Sequence, residues 1–224
     1  MSLRLILFDV DGTLVDSQAS IVAAMTASFE AQGLPVPARV AILSIVGLSL
    51  DHALLRLAPE QPAATRARLV EGYKEAYHAH RLAQGAAHSP LYPGALEVLQ
   101  RLHAEPEVLL GVATGKSRRG LDALLEAHGL APYFVTRQVA DDHPSKPHPS
   151  MIDTARAETG VPAAATVMIG DTSYDMDMAR AAGVAGVGVG WGYHAPEALL
   201  GARAVVHRFD DLPPAIEQIW KDPT

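Results

Sequence analysis

Apolar and polar positions along the chain follow two rhythms. Leu3 to Phe8 is a short apolar run stopped by Asp9, Asp11 and Gly12, which predicts a buried β-strand. Ser17 stands where a helix N-cap belongs. Ile21, Val22, Met25 and Phe29 then repeat at helical spacing as a core-facing stripe, until Gly33 and Pro35 end the helix. From Val40 to about Arg81 the pattern stays helical, broken at Gly47, Pro59 and Pro62, with no strand in between.

At Tyr92-Pro93-Gly94 the rhythm changes to alternating helix and strand. A helix to about His103 precedes a strand over Val108 to Ala113. Further strands are predicted at Phe134 to Val139, Thr166 to Ile169, Ala185 to Val189 and Ala204 to Val206, with helices closing at Gly129, Gly160 and Gly183. The simplest architecture is α/β: a doubly wound, Rossmann-like parallel sheet core from residues 1–15 and 89–224, interrupted by an all-helical insert over 16–88. No repeat or low-complexity tract interrupts it.

Composition narrows the functional classes. A chain of 224 residues can bury a full core, and the absence of cysteine removes disulfides, thiolate metal sites and a cysteine nucleophile. The net charge of −7, with no Lys/Arg block, argues against nucleic acid or an anionic membrane as partner. The N-terminus does not resemble a signal peptide and no stretch is long enough to span a bilayer, so a cytoplasmic enzyme, monomer or homodimer, is expected. An anionic ligand would need a local cation to receive it.

In open α/β sheets ligands gather at the carboxyl ends of strands. Here those ends carry Asp9 and Asp11, Thr114-Gly115-Lys116, and Gly170-Asp171 followed by Asp175; Lys146 sits in a loop between Pro144 and Pro147. Collecting Asp9, Asp11, Asp171 and Asp175 costs about 4 kcal/mol per close pair at 4 Å in a medium of intermediate dielectric. All-oxygen ligands of this kind suit Mg²⁺, and the metal with Lys146 would turn an acidic pocket into a phosphate receptor. Thr114 can donate to a phosphate oxygen, and Gly115 lets backbone approach closely. Asp9 is then the candidate nucleophile. Asp11, crowded by other carboxylates, could hold a proton, protonate the leaving oxygen and later deprotonate water.

Each stretch alone has a plainer reading. Asp-x-Asp-Gly-Thr is a common turn after a strand, Thr114 could cap a helix, and Asp175 could sit in a first helical turn. The joint pattern outweighs these. Lys116, Arg118 and Arg119 read as a solvated helix face, with Lys116 near enough to reach the pocket. Of the ten histidines, His78 and His80 face different ways on one helix, and His143 and His148 read as loop residues, so zinc is not indicated.

Taken in order, Asp9-x-Asp11-x-Thr13, Thr114, Lys146 and Gly170-Asp171 with Asp175 resemble the four motifs of the haloacid dehalogenase superfamily of phosphatases. The helical insert is similar to the mobile cap of its phosphoglycolate phosphatase-like branch, with Gly47-Leu48-Ser49-Leu50 as the loop over the pocket. The resemblance implies that Asp9, the backbone carbonyl of Asp11 and the side chain of Asp171 hold Mg²⁺. Asp175 would support the metal or its waters, and Lys146 would steady Asp9 and the phosphoryl oxygens. It implies hydrolysis of a small phosphorylated metabolite through an aspartyl-phosphate, with a phosphosugar mutase or an inorganic pyrophosphatase as alternatives on the same fold.

Asp11 argues against a dehalogenase, and a lone insert lysine, Lys74, makes a phosphonate hydrolase a poor fit. Mutases of the β-phosphoglucomutase type carry arginine where Leu50 stands, which favours hydrolysis. The cap loop reads as apolar, without a cluster of charges for a second phosphate, which points to a small substrate such as phosphoglycolate.

Overall fold

In the computed structural model, residues 3–222 are described; the first two and last two residues of the chain, assigned above to the core, lie outside them. The strands are β1 (Arg4–Phe8), β2 (Val108–Thr114), β3 (Phe134–Val139), β4 (Thr166–Gly170), β5 (Ala185–Val189) and β6 (Ala204–Val206). They form one sheet in the order β3-β2-β1-β4-β5-β6, parallel at every pairing. The chain leaves β1 toward β2 on one side and reaches β4 on the other. The C-terminal ends of β1 and β4 therefore flank the switch in strand order, where a crevice opens above the sheet.

Period-two alternation sorts the side chains of β1. Ile6 and Phe8 enter one apolar cluster with Val112 and Ile169, covered by α5 (Ala95–His103), α6 (Arg118–Ala127) and α9 (Leu212–Lys221). Leu5 and Leu7 enter the opposite cluster with Met168, covered by α7 (Ser150–Thr159) and α8 (Ser173–Ala181). All four β1 residues are fully buried, each worth about 1.5–3 kcal/mol relative to exposure. That explains the unbroken apolar run read from the sequence, because a central parallel strand has no solvent face.

Between β1 and α5 the described chain is helical: α1 (Gln18–Ala31), α2 (Arg39–Leu43), α3 (Leu50–Leu57) and α4 (Ala63–Gln84). Their apolar faces form a third cluster in which Ile21, Met25 and Phe29 are buried against Ile42, Leu54 and Leu69. The stripe on α1 is thus core packing, as expected. Gly72 lets α4 approach α1, where the Ser28 hydroxyl donates to the Leu69 carbonyl at 2.7 Å.

Candidate active site

β1 ends directly before Asp9, and a tight turn returns the chain so that Thr13 points back at the sheet. Gly12 sits in this turn with φ +88°, and a Cβ there would collide with the Asp171 carboxylate. Thr13 Oγ1 donates to Asp171 Oδ1 at 2.9 Å, while the Tyr193 amide donates to Oδ2 at 2.8 Å. Both oxygens of Asp171 are thereby aimed rather than free to rotate.

Asp175 lies one turn into α8. Its Oδ2 accepts from the Thr172 amide at 3.0 Å and the Thr172 hydroxyl at 2.7 Å in a reciprocal cap of that helix. Its Oδ1 accepts from Lys146 Nζ at 2.7 Å. The helix-terminus reading and the site reading of Asp175 therefore hold together. Asp171 meets only neutral donors, whereas Asp175 has one oxygen against the Lys146 ammonium and the other shared by two Thr172 donors, so it is better placed to support the cluster than to supply a ligand.

Asp9, Asp171 and Asp175 offer carboxylate oxygens that all lie within 4.8 Å of one another, all buried. Lys146, equally buried, reaches Asp175 and stands 3.0 Å from Asp9 Oδ1, close enough to pair in charge but not in hydrogen-bonding geometry. Neither oxygen of Asp9 has a hydrogen-bond partner. Three carboxylates against one ammonium leave a deficit of positive charge, and the orphaned oxygens face the cavity. A divalent cation with oxygen ligands fits both facts.

Electrostatics reports the same deficit. Burial, partly offset by Lys146 and reinforced by Asp175, pushes the Asp9 carboxyl from its ordinary 3.8 up to about 6. Burial, then Asp175 and Asp9, hold Asp171 well above the carboxylate range. Burial opposes the charge on Lys146, but Asp175 and Asp9 outweigh it and keep the ammonium above its usual pKa. A raised carboxyl pKa stabilises the fold at low pH, and that stability is lost as pH rises through the folded value. The metal-free protein is therefore expected to lose about 3 kcal/mol from Asp9 alone as pH rises from about 4 to above 6. Melting curves with and without Mg²⁺ check this: the metal-induced rise in Tm should be larger at pH 8 than at pH 5, and an equal rise at both would contradict it.

The structure corrects two expectations and qualifies a third. The Asp11 side chain does not join the other carboxylates: Oδ1 accepts from Ser17 Oγ at 2.5 Å, and Oδ2 pairs with Lys116 Nζ at 2.9 Å. Ser17 does stand at the N-cap position of α1, its carbonyl accepting from the Ile21 amide at 2.9 Å, but its hydroxyl makes no side-chain cap and serves Asp11 and Tyr193 instead. Lys116 is not on a solvated face. Ser117 is the N-cap of α6, so Lys116 precedes the helix, and its ammonium is buried between Asp11 and Tyr77 Oη, 3.1 Å away on α4. Arg118 does match the solvated reading, pairing with Asp142.

Thr114 ends β2 fully buried, its oxygen accepting from the Lys116 amide at 3.2 Å, which leaves the hydroxyl hydrogen free to donate. Gly115 is pinned by contact. A Cβ there would meet the carbonyls of Gly47 and Leu48 at 2.5 and 2.7 Å, so the loop between α2 and α3 rests directly on it. The Ser49 amide also donates to Ser145 Oγ, beside Lys146, at 2.9 Å. Asp9, Asp11, Thr114, Gly115 and Lys116 line a cavity of about 410 Å³ roofed by Leu48, Leu50 and α4. The cap loop is apolar where Leu48 and Leu50 roof the cavity, as read, and charge enters the wall from other elements, through His78 and Arg81 on α4 and Arg119 on α6. His143 is a loop residue, as read, held by Ser150 and Gln138.

An acidic cluster and a buried lysine thus stand at the switch point of a doubly wound parallel sheet, the place where proteins of the α/β class bind their ligands. Residues 6–189 match the family model described as haloacid dehalogenase-like hydrolase. A probable phosphatase IndB from Dickeya dadantii is 38% identical, the match covering 97% of this chain and 95% of that protein. A phosphoglycolate phosphatase from Caulobacter vibrioides is 36% identical over 94% of this chain and 89% of its own length. A hydrolase of known structure from Pseudomonas syringae superposes with a TM-score of 0.84 at 28% identity, covering 96% and 99% of the two chains. The chain belongs to the haloacid dehalogenase-like hydrolases, and within them it is a phosphatase.

Proposed function

We propose that the chain hydrolyses a small phosphomonoester of the phosphoglycolate type, with Mg²⁺, through an aspartyl-phosphate formed on Asp9. The observation that carries this reading is Asp9 itself: a buried carboxylate at a strand end, both oxygens without hydrogen-bond partners, beside a buried lysine and two further carboxylates. Asp9, Asp171 and the backbone carbonyl of Asp11 would hold the metal, with Asp175 behind them. When bound, Mg²⁺ supplies positive charge for the phosphoryl oxygens and offsets the repulsion among the carboxylates.

An Asp9 oxygen attacks phosphorus as the bond to the leaving oxygen breaks, and Lys146 with the Thr114 hydroxyl faces the charge on the phosphoryl group. Asp11 lines the cavity wall, where Ser17 and Lys116 hold it as an acceptor. It serves as the acid once it carries a proton and is released from Lys116 as substrate seats, and it gives that proton to the leaving oxygen. It then takes a proton from the water that attacks phosphorus, and cleavage of the aspartyl bond returns Asp9 with release of inorganic phosphate. Residues 16–88 act as a cap on a core of 1–15 and 89–224, the contact of Gly47 and Leu48 with Gly115 marking the closed arrangement. The mutase alternative lacks support at the cap loop, where Leu50 lines the cavity in place of a cation.

The proposed setting is a cytoplasmic monomer or homodimer acting on a metabolite; no helix among the described residues is long and apolar enough to cross a membrane. A phosphomonoester panel with and without Mg²⁺ tests the reading. Hydrolysis in magnesium that vanishes in chelator and returns on adding metal is expected; equal rates in both, or isomerisation of a sugar phosphate without phosphate release, would overturn it.

A further inference from the structure

The roof of the cavity carries a cluster that the chemistry at Asp9 does not use. His78 on α4 has its Nδ1 2.9 Å from Arg81 Nη2 and its Nε2 3.0 Å from Arg119 Nη2. Guanidinium nitrogens only donate, and a neutral imidazole has one lone pair and one N–H. One of the two contacts is therefore a hydrogen bond, and the other sets donor against donor. Protonating the ring would make both contacts unfavourable. Partial burial, then Arg119 and Arg81, accordingly lower the pKa of His78.

The cavity's other cations are engaged with acids. Lys116 pairs with Asp11, and Lys74 pairs with Glu71. Asp141 lines the same cavity, but its Oδ2 accepts from the Arg118 amide at 2.7 Å. Among the described residues no carboxylate lies within ion-pair distance of Arg81 or Arg119. Two planar forks thus converge on one ring in the wall of the cavity that Asp9 also lines, with donors in excess of the single lone pair the ring offers. An oxyanion seated there would accept from both arginines and remove the conflict at His78.

We propose that Arg81, Arg119 and His78 form a receptor for a carboxylate carried by the substrate itself, so that the preferred ligands are short phosphorylated hydroxy acids. The inference rests on the phosphatase reading and extends it to the far end of the substrate. Arg119 belongs to the sheet-covering helix α6, whereas His78 and Arg81 belong to α4. A carboxylate shared between them ties cap to core over the phosphate at the other end. Correct substrate then closes its own site, and an ester without the second anion gains no such help.

The test is a ratio: kcat/KM for 2-phosphoglycolate and 3-phosphoglycerate divided by kcat/KM for p-nitrophenyl phosphate, which has no second anion. In Arg81→Gln, Arg119→Gln and the double variant this ratio is expected to fall at least about tenfold, carried by KM, with Arg119→Lys recovering part of it. Because numerator and denominator share one preparation, a loss of folded protein cancels. A ratio within twofold of the original, whether both activities fall or neither does, overturns the receptor. A fall seen with fructose 1,6-bisphosphate but not with either carboxylate also overturns it, since the second anion would then be a phosphate. If the unaltered chain hydrolyses none of these esters, the phosphatase reading fails first and the receptor fails with it.

Discussion

Asp9→Asn is expected to lower turnover of every phosphomonoester by at least about 10⁴-fold while leaving the fold intact. The amide is nearly isosteric with the carboxylate but is too weak a nucleophile to form the acyl-phosphate. The substitution also removes one of three crowded negative charges, so the metal-free variant should melt no lower than the original at neutral pH. The pairing of outcomes matters, because misfolding lowers both turnover and Tm, whereas loss of the nucleophile lowers only turnover. Steady-state kinetics beside a melting curve separates the two. Retained turnover in a preparation free of contaminating phosphatase would remove Asp9 from its role.

Lys146→Met should damage both function and stability. The methionine keeps most of the apolar stem but leaves Asp9 and Asp175 buried without the ammonium that touches them. Breaking a buried ion pair in this way costs about 3–5 kcal/mol. In a chain of this size that is a fall of roughly 10 °C in Tm. The fall should shrink in acid, where the carboxylates take up protons and no longer need a counter-charge, and it should shrink again when Mg²⁺ is added. Turnover should drop by about 10³-fold even at saturating metal, since the metal does not replace a donor aimed at the phosphoryl oxygens. A metal-free Tm unchanged at pH 8 would show that Lys146 does not offset the acidic cluster.

Most of the fold could be read from the chain because its signals are local. β1, β2, β4 and β5 are apolar runs cut by glycine or aspartate, and Gly33, Gly129, Gly160 and Gly183 take positive φ just past the helices they close. Strand limits moved by a single residue at Leu3, Thr114 and Gly170. The acidic cluster was legible for a related reason: in a parallel sheet, residues just past the strands near the order switch must meet, whatever lies between them in sequence.

What was not legible depends on contacts between elements. Lys116 was assigned to a helix face because three cations in four residues suggest one, but Ser117 starts the helix one residue later and turns Lys116 into the strand-end loop. Ser17 has the right residue type for a cap, yet its hydroxyl goes to an acid six positions back. Tyr193 holds Asp171 and Ser17 from the loop after β5, with no motif to announce it. The meeting of His78 and Arg81 with Arg119 joins helices about 40 positions apart in sequence, a distance no periodicity reports.

Phosphorylated Asp9 can be observed directly. Acetyl phosphate carries a leaving group that needs no proton, so Asp11→Asn should still transfer its phosphoryl group to Asp9, while the water step, now without a base, becomes slow. Acid quenching of this variant with acetyl phosphate and Mg²⁺, followed by peptide mass spectrometry, should show a phosphoryl group on the peptide containing Asp9, and none in chelator. Consumption of acetyl phosphate by the variant with Asp9 unmodified, or with the phosphoryl group on another residue, would contradict the aspartyl-phosphate route.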